Sequence, residues 1–219
     1  KLDKPQRNGR IRTGDKKMIF ILRHGQTDWN LVHRIQGCGA DIPLNDTGRE
    51  QAQNRARIFD GRQFDALITS PLSRAVETGA ILTENARVGE VLTDERLKER
   101  DFRHLDGTQT TGMPLSFYLS DIDGIEPTDE LFDRFSESVR DIAGRYDGDV
   151  MIVSHGAAVG TWIAKQLGGT GFELHNLACS TADKDGKLDG YNLEDYQILA
   201  KLEQKTDADG QTVRSGDAS

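Results

Sequence analysis

The sequence predicts an α/β fold: a three-layer sandwich with a mostly parallel central sheet, flanked by helices and carrying a small cap insertion. Three observations predict it. Apolar runs of strand length stand at Met18-Ile19-Phe20-Ile21-Leu22, Ala66-Leu67-Ile68-Thr69 and Val150-Met151-Ile152-Val153, and unbroken runs of this kind suit strands buried on both faces. Segments with helical spacing or helix-start signals alternate with them, which argues for a sheet covered on both sides. Residues 93–126 have weak periodicity and contain Gly107, Gly112, Pro114 and Gly124, so they read as a loop-rich cap rather than a layer.

Taken in order, residues 1–17 carry Lys1, Lys4, Arg7, Arg10, Arg12, Lys16 and Lys17 against two acids and read as a flexible basic arm. The first strand follows. Residues 45–60 read as a helix, with Thr47 and Glu50 as its capping box. Pro71, at a position where proline is tolerated, opens a helix expected to run to about Asn85. A third strand is expected near 88–92, and a short helix near 115–119 within the cap. Beyond Pro127, the residues Leu131, Phe132, Phe135, Val139 and Ile142 fall at helical spacing. After the fourth strand, 157–167 reads as a helix stopped by Gly168-Gly169. Strand-like pieces near 178–183 and 188–193 are joined by Lys184-Asp185-Gly186-Lys187, whose Asp-Gly suits a hairpin and adds an antiparallel edge. Residues 204–219 are rich in Asp, Gly, Thr and Ser and are expected to be disordered. One domain over 18–203 is the expectation.

The chain has 219 residues, 36% hydrophobic and 29% charged, the balance of a globular domain with a sizeable core. Its formal net charge of −8 argues against nucleic acid or an anionic membrane as a partner, since either needs a basic surface. No apolar stretch reaches the roughly 20 residues that span a bilayer, and no signal-peptide run stands at the start. Cys38 and Cys179 make no disulfide framework. A cytoplasmic location with free thiols is expected, with Cys38, beside a candidate anion-binding loop, open to oxidation.

The strand ends carry the chemistry. Open α/β sheets bind ligands outside the carboxyl ends of their strands. There the sequence places Arg23-His24-Gly25-Gln26-Thr27, then Ser70-Pro71-Leu72-Ser73-Arg74-Ala75-Val76-Glu77-Thr78, then Ser154-His155-Gly156, with Leu97-Lys98-Glu99 in a loop after the third strand. A permanent cation beside a potential nucleophile, followed by a glycine that permits close backbone approach, suits phosphoryl transfer through a histidine. Two further histidines, His33 and His175, lack such context and are expected at the surface.

The motifs R-H-G-Q-T-D-W-N at 23–30, R-I-Q-G at 34–37, D-I-P-L-N-D-T-G at 41–48, S-P-L-S-R-A-V-E-T at 70–78 and S-H-G at 154–156 together resemble the histidine phosphatase superfamily, also called phosphoglycerate mutase-like, over roughly residues 18–200. The resemblance implies that His24 is the nucleophile that becomes phosphohistidine, that Arg23 and Arg74 clamp phosphate, that His155 is a second phosphate-binding histidine and that Glu99 is the general acid. It makes Asn30, Gln36, Gly37 and Gly156 further phosphate contacts. Guanidinium forks match phosphate oxygens. His24 must attack through a neutral ring nitrogen while the other nitrogen donates to a carbonyl or carboxylate. His155 would serve best protonated. Glu99 would protonate the leaving alkoxide and then, as carboxylate, activate water. The arginines and His155 supply the charge stabilisation, so neither a metal nor a cofactor is needed.

Two departures from the family pattern stand out. Asp129-Glu130-Leu131 replaces the usual Gly-Glu-Ser before the long helix. Arg103 and Leu105 replace the usual glycine and tryptophan near the acid. Arg103 with His104, Arg34 and Arg100 can be read as a basic rim for a second anionic group of the substrate, or as a solvated loop. The short interval from Glu99 to His155 and the pair Gln26-Thr27 place the chain with the phosphatase branch: a histidine acid-type phosphatase, a phosphoric monoester hydrolase acting on a small phosphorylated metabolite. A cofactor-dependent phosphoglycerate mutase is the alternative, and a non-catalytic phospho-ligand binder is the alternative of another class. The sequence leaves a homodimer open.

Overall fold

The computed structural model describes residues 17–110, 117, 120–168, 172–191, 196–198, 205–206 and 212–213. The strands are β1 (Ile19–Arg23), β2 (Gln63–Thr69), β3 (Arg87–Thr93), β4 (Val150–Ser154), β5 (Phe172–Leu174), β6 (Cys179–Ala182), β7 (Leu188–Tyr191) and β8 (Tyr196–Ile198). The α-helices are α1 (Asp28–Leu31), α2 (Asp46–Ala56), α3 (Ser73–Leu82), α4 (Thr128–Arg145) and α5 (Gly156–Gln166). Among the described residues, six strands form one sheet in the order β3-β2-β4-β1-β6-β7. The first four are parallel; β6 runs antiparallel to β1, and β7 antiparallel to β6. β5 pairs with β8 in a separate antiparallel ribbon, and Lys205–Thr206 pairs with Thr212–Val213 within the tail.

The two-residue period of the strands sorts the core onto two faces. Ile19, Ile21, Ile68, Val150 and Ile152 pack with Leu131, Phe135, Val139 and Ile142 of α4 and Trp162 and Ile163 of α5. Phe20, Leu22, Leu67, Met151 and Val153 face the other way, onto Phe59, Ala75 of α3 and Leu82. Phe20, Phe59 and Phe64 meet edge to face at 5.5–5.9 Å, a geometry that adds to the gain from burial. A third, smaller cluster joins the 93–126 segment to its surroundings: Phe102 and Ile125 pack with Ile35, which follows α1, and Ala157 at the start of α5, with Leu105, Phe117 and Ile122 against them.

Register makes the strand ends level. Arg23 pairs with Ser154, and both Leu22 and Thr69 pair with Val153. His24, Ser70 and His155 therefore leave the sheet at one edge.

Several local expectations are corrected. The cap of α2 is Asn45, whose Oδ1 accepts from Gly48 N at 2.9 Å, because Asn45 has extended backbone while Thr47 already lies inside the helix. That helix stops at Ala56 and tightens into a 3₁₀ turn over Arg57–Phe59. α3 begins at Ser73, two residues after Pro71, where Asp41 accepts from the Ser73 amide (2.8 Å) and hydroxyl (2.7 Å). It ends at Leu82. Within 93–126 the described elements are 3₁₀ turns at Glu95–Leu97 and Arg103–Leu105. The helix expected near 115–119 lies outside the described residues apart from Phe117, as does the basic arm apart from Lys17, whose Nζ donates to the carbonyls of Ala143 and Tyr146. Among the described residues no helix is long and apolar enough to cross a membrane.

Candidate active site

β1 delivers His24 by its last main-chain link: the His24 amide donates to Ser154 O at 3.0 Å. The ring is buried and its Nδ1 lies 2.7 Å from Gly25 O. A carbonyl only accepts, so Nδ1 carries the proton and Nε2 keeps its lone pair. The partner that the sequence left unnamed is thus the next residue's own carbonyl. Gly25 is required by packing, since a Cβ there would stand 2.6 Å from Gly48 O. Its amide donates to Thr78 Oγ1 (3.0 Å), which donates to Arg74 O (2.7 Å). These bonds tie the turn after β1 to α3.

Arg74, in the first turn of α3, is fully buried. Its Nε donates to His155 Nδ1 at 3.2 Å, Nη1 to Ala40 O at 2.8 Å and Nη2 to Gly37 O at 3.2 Å. Burial lowers its pKa to about 10, with Glu99 and Asp41 opposing the fall, so it stays cationic at neutral pH. With the second Nη1 hydrogen directed at Gln36 Oε1, four of its five N–H groups are accounted for, and one on Nη2 remains for an anion. Because Nε can only donate, His155 Nδ1 must be unprotonated, which puts the proton of the neutral ring on Nε2. That atom is buried without a partner among the described residues. The two imidazoles stand 5.2 Å apart, tilted by 61°. Burial first, then Arg74, holds both far below the ordinary histidine range; Arg23 also lowers both, and His24 further lowers His155. The expectation of a protonated His155 is therefore corrected: burial and the same arginine that would assist it as a cation disfavour its protonation.

Glu99 is buried and seated on the start of α5. Ala158 N donates to Oε1 at 2.9 Å, Arg100 N to Oε1 at 2.9 Å and Ala157 N to Oε2 at 3.0 Å. With three of about four acceptor sites filled, Oε2 keeps the open one. Gly156 lets the Arg23 guanidinium lie alongside: a Cβ there would come 3.3 Å from Arg23 Cζ. Arg23 Nη1 donates to Leu174 O.

The other candidates divide. Asn30 is in the capping box of α1, its Oδ1 accepting from Thr27 N (3.2 Å) and Asn176 Nδ2 (3.4 Å), which leaves its amide nitrogen as the donor it could offer. Gln36 is turned toward the arginine: with its amide oriented so that Nε2 donates to Thr27 Oγ1 (2.6 Å), Oε1 accepts from Arg74 Nη1 (3.1 Å) and Nε (3.3 Å). The Gly37 amide donates to Asp106 Oδ1 at 2.8 Å and is already engaged, so this residue shapes the loop rather than offering its N–H. Arg103, with φ 48°, is exposed and sits 3.6 Å from Asp101. Arg34 donates to Gly107 O. Arg100 is buried, donating to Glu126 O (2.7 Å) and Ser120 O (2.9 Å). The basic rim is corrected for Arg100, which is buried and holds this segment together, while Arg103 stays exposed beside Asp101. His33, His104 and His175 are exposed. Burial pushes the Cys38 thiol up to about 11, with Asp101 and Glu126 adding to the effect, contrary to its expected oxidisability.

One residue of the site was missed from sequence. Asn176, in the turn between β5 and β6, donates to His24 O at 3.0 Å. The same turn is fastened to β1 by Leu177 N to Arg23 O (3.2 Å) and Arg23 N to Ala178 O (3.1 Å). No local pattern marks Asn176; only the antiparallel return of β6 against β1 brings it there.

Comparison with known proteins identifies the family. The family model described as histidine phosphatase superfamily (branch 1) matches residues 19–184. The uncharacterized phosphatase PhoE of Bacillus subtilis is 35% identical over 190 residues, 81% of this chain and 95% of that protein. Phosphoglycerate mutase-like protein 4 of Arabidopsis thaliana is 33% identical over 66% of this chain and 69% of its own. Among solved structures, a phosphoserine phosphatase from Entamoeba histolytica, in complex with 3-phosphoglyceric acid, superposes with a TM-score of 0.66 at 27% identity, covering 80% of this chain and 96% of that one. The α/β sheet with its level strand ends, the paired buried imidazoles and the matched length together place the chain: it belongs to the histidine phosphatase superfamily, branch 1.

Proposed function

We propose that this protein is a metal-independent phosphomonoesterase that acts through a phosphohistidine on His24, with a small phosphorylated metabolite as substrate. The observation that carries the reading is the complementary state of the two imidazoles. His24 Nε2 holds a lone pair because Nδ1 donates to Gly25 O. His155 Nε2 holds a hydrogen because Nδ1 accepts from Arg74. One attacks phosphorus, and the other donates to a phosphoryl oxygen. Arg23 and Arg74 offset the charge of the phosphate dianion.

In the first step the N–P bond forms as the ester P–O bond breaks, and the departing alkoxide takes a proton from Glu99 Oε2. In the second, the Glu99 carboxylate removes a proton from water, the new P–O bond forms, the N–P bond breaks and inorganic phosphate leaves. The names of the Bacillus and Entamoeba relatives, both phosphatases, support hydrolysis. The Arabidopsis relative, named mutase-like, keeps transfer to a second hydroxyl as the competing reading.

The test offers p-nitrophenyl phosphate and, separately, 3-phosphoglycerate with 2,3-bisphosphoglycerate, all with EDTA. Nitrophenol release without 2-phosphoglycerate is the expected result. Rapid 2-phosphoglycerate formation with little nitrophenol would replace the phosphatase with a mutase, and a requirement for Mg²⁺ would overturn the metal-independent route. Should neither substrate turn over, failure to trap a phosphohistidine on His24 would leave a binding protein. His24→Ala is expected to abolish turnover, and Glu99→Gln to slow it about 10²–10⁴-fold.

A further inference from the structure

We propose that Arg134, on α4, is a positioning residue for Glu99, holding the turn that carries the carboxyl at a fixed place over the phosphoryl site; this rests on the reading of Glu99 as proton donor. The turn at 96–99 has no ladder to hold it, and its carbonyls are met by side chains. Arg134 Nη1 donates to Arg96 O (2.7 Å) and Lys98 O (2.8 Å), and Nη2 to Glu99 O (3.1 Å). Between them Leu97 O accepts from Ser154 Oγ at 2.7 Å. Four consecutive carbonyls thus end on two side chains.

The rest of the guanidinium is spent on one carboxylate. Nε donates to Glu126 Oε1 (2.6 Å) and Nη2 to Glu126 Oε2 (3.0 Å). All five N–H groups have acceptors, the full capacity of the fork. Glu126 in turn grips the far side of Glu99: Asp101 N donates to its Oε2 (3.0 Å), its own amide donates to Asp101 O (3.0 Å), and its carbonyl accepts from Arg100 Nε (2.7 Å). Residues 96–101 are therefore clasped on both sides of the acid. The clasp is anchored by the wholly buried Leu131 and Phe135 on either side of Arg134 in α4. A lysine offers three donors on a point charge and cannot reproduce a planar fork.

The test compares Arg134→Lys and Arg134→Gln with wild type on two esters. p-Nitrophenolate leaves without protonation, whereas the alkoxide of propyl phosphate needs the Glu99 proton. kcat/KM reports the first transfer. The expected result is a loss of about 10–100-fold in kcat/KM for propyl phosphate, the scale of a misplaced catalytic group, with p-nitrophenyl phosphate changed less than about threefold on the same argument. Hydrolysis of phosphohistidine uses Glu99 for both esters. A nitrophenol burst of one equivalent per enzyme is therefore expected in the variants, and Arg134→Lys is expected to retain more activity than Arg134→Gln. Equal losses on both esters in variants with wild-type circular dichroism and melting temperature would reduce Arg134 to general scaffolding, and no loss on either would remove it from the reaction. If both variants fail to fold, Glu126→Gln, which weakens the same clasp from its other end, is read by the same ratio. Wild-type protein that forms no phosphohistidine on His24 would instead overturn the phosphatase reading itself.

Discussion

Lowering the pH from 7 to 5.5 in a phosphate-free buffer should destabilise this protein steeply, through two residues. His24 and His155 are wholly buried, and burial with Arg74 and Arg23 holds both far below the ordinary histidine range. In the unfolded chain each takes up a proton near its usual pKa of about 6.5. Below that value the unfolded state binds more protons than the folded one, so stability falls as pH falls, and it continues to fall until the folded pKa values are reached. Above about 6.5 neither state changes charge at these sites, and the contribution is constant. Each histidine contributes about 1.2 kcal/mol over that interval, and the pair roughly 2.5 kcal/mol. Urea unfolding at pH 7, 6.5, 6 and 5.5 measures it, with the m-value as a check that the same surface is exposed throughout. A His24→Asn, His155→Asn double variant should lose most of the slope. Inorganic phosphate should restore stability at pH 5.5, because an anion beside the rings favours their protonated forms. A flat profile, or a double variant with the wild-type slope, would refute the argument that both rings are neutral in the folded protein in phosphate-free buffer.

Other perturbations follow from the same geometry. Asn176→Ala removes the donor to the His24 carbonyl; stability should drop by about 1 kcal/mol, read in urea, and kcat/KM by about 10–100-fold as the nucleophile loses its alignment. Phe135→Ala should cost about 3–5 kcal/mol, because the ring is fully buried and lies 5.9 Å from Trp162; an unchanged urea midpoint would contradict its place in the core. Cys38, with its thiol near 11, is about one part in a thousand thiolate at pH 8, so iodoacetamide should label it far more slowly than a free thiol of ordinary pKa.

The sheet was legible because its central strands are unbroken apolar runs, and the strand ends were legible because Arg23-His24 and Ser154-His155 follow two of those runs directly. Sequence cannot convey register, yet register is what levels Arg23 with Ser154. The start of α2 was legible, but its cap was assigned to Thr47 and not Asn45, because backbone conformation, which the sequence does not display, decides which side chain caps the helix. The protonation of His155 was misread because it depends on which atom of Arg74 faces which ring nitrogen, a tertiary detail. Arg100 looked like a rim cation from its neighbours in sequence; its burial against Ser120 and Glu126 depends on a fold-back of the cap segment. Asn176 and Arg134 reach the site from distant stretches and carry no local signal.

The small apolar cluster of Ile35, Phe102, Ile125 and Ala157 is separate from the two cores that bind the sheet to its helices. None of its residues belongs to those two cores, so substitutions at Phe102 and Ile125 act first on the packing of the segment around them. A packing unit set apart in this way can change in sequence while the two larger cores stay constant. Greater sequence variation at these positions than in the two larger cores is the expected evolutionary signature of such a division, with laboratory libraries confined to this cluster and its neighbours as the economical route to a new substrate preference.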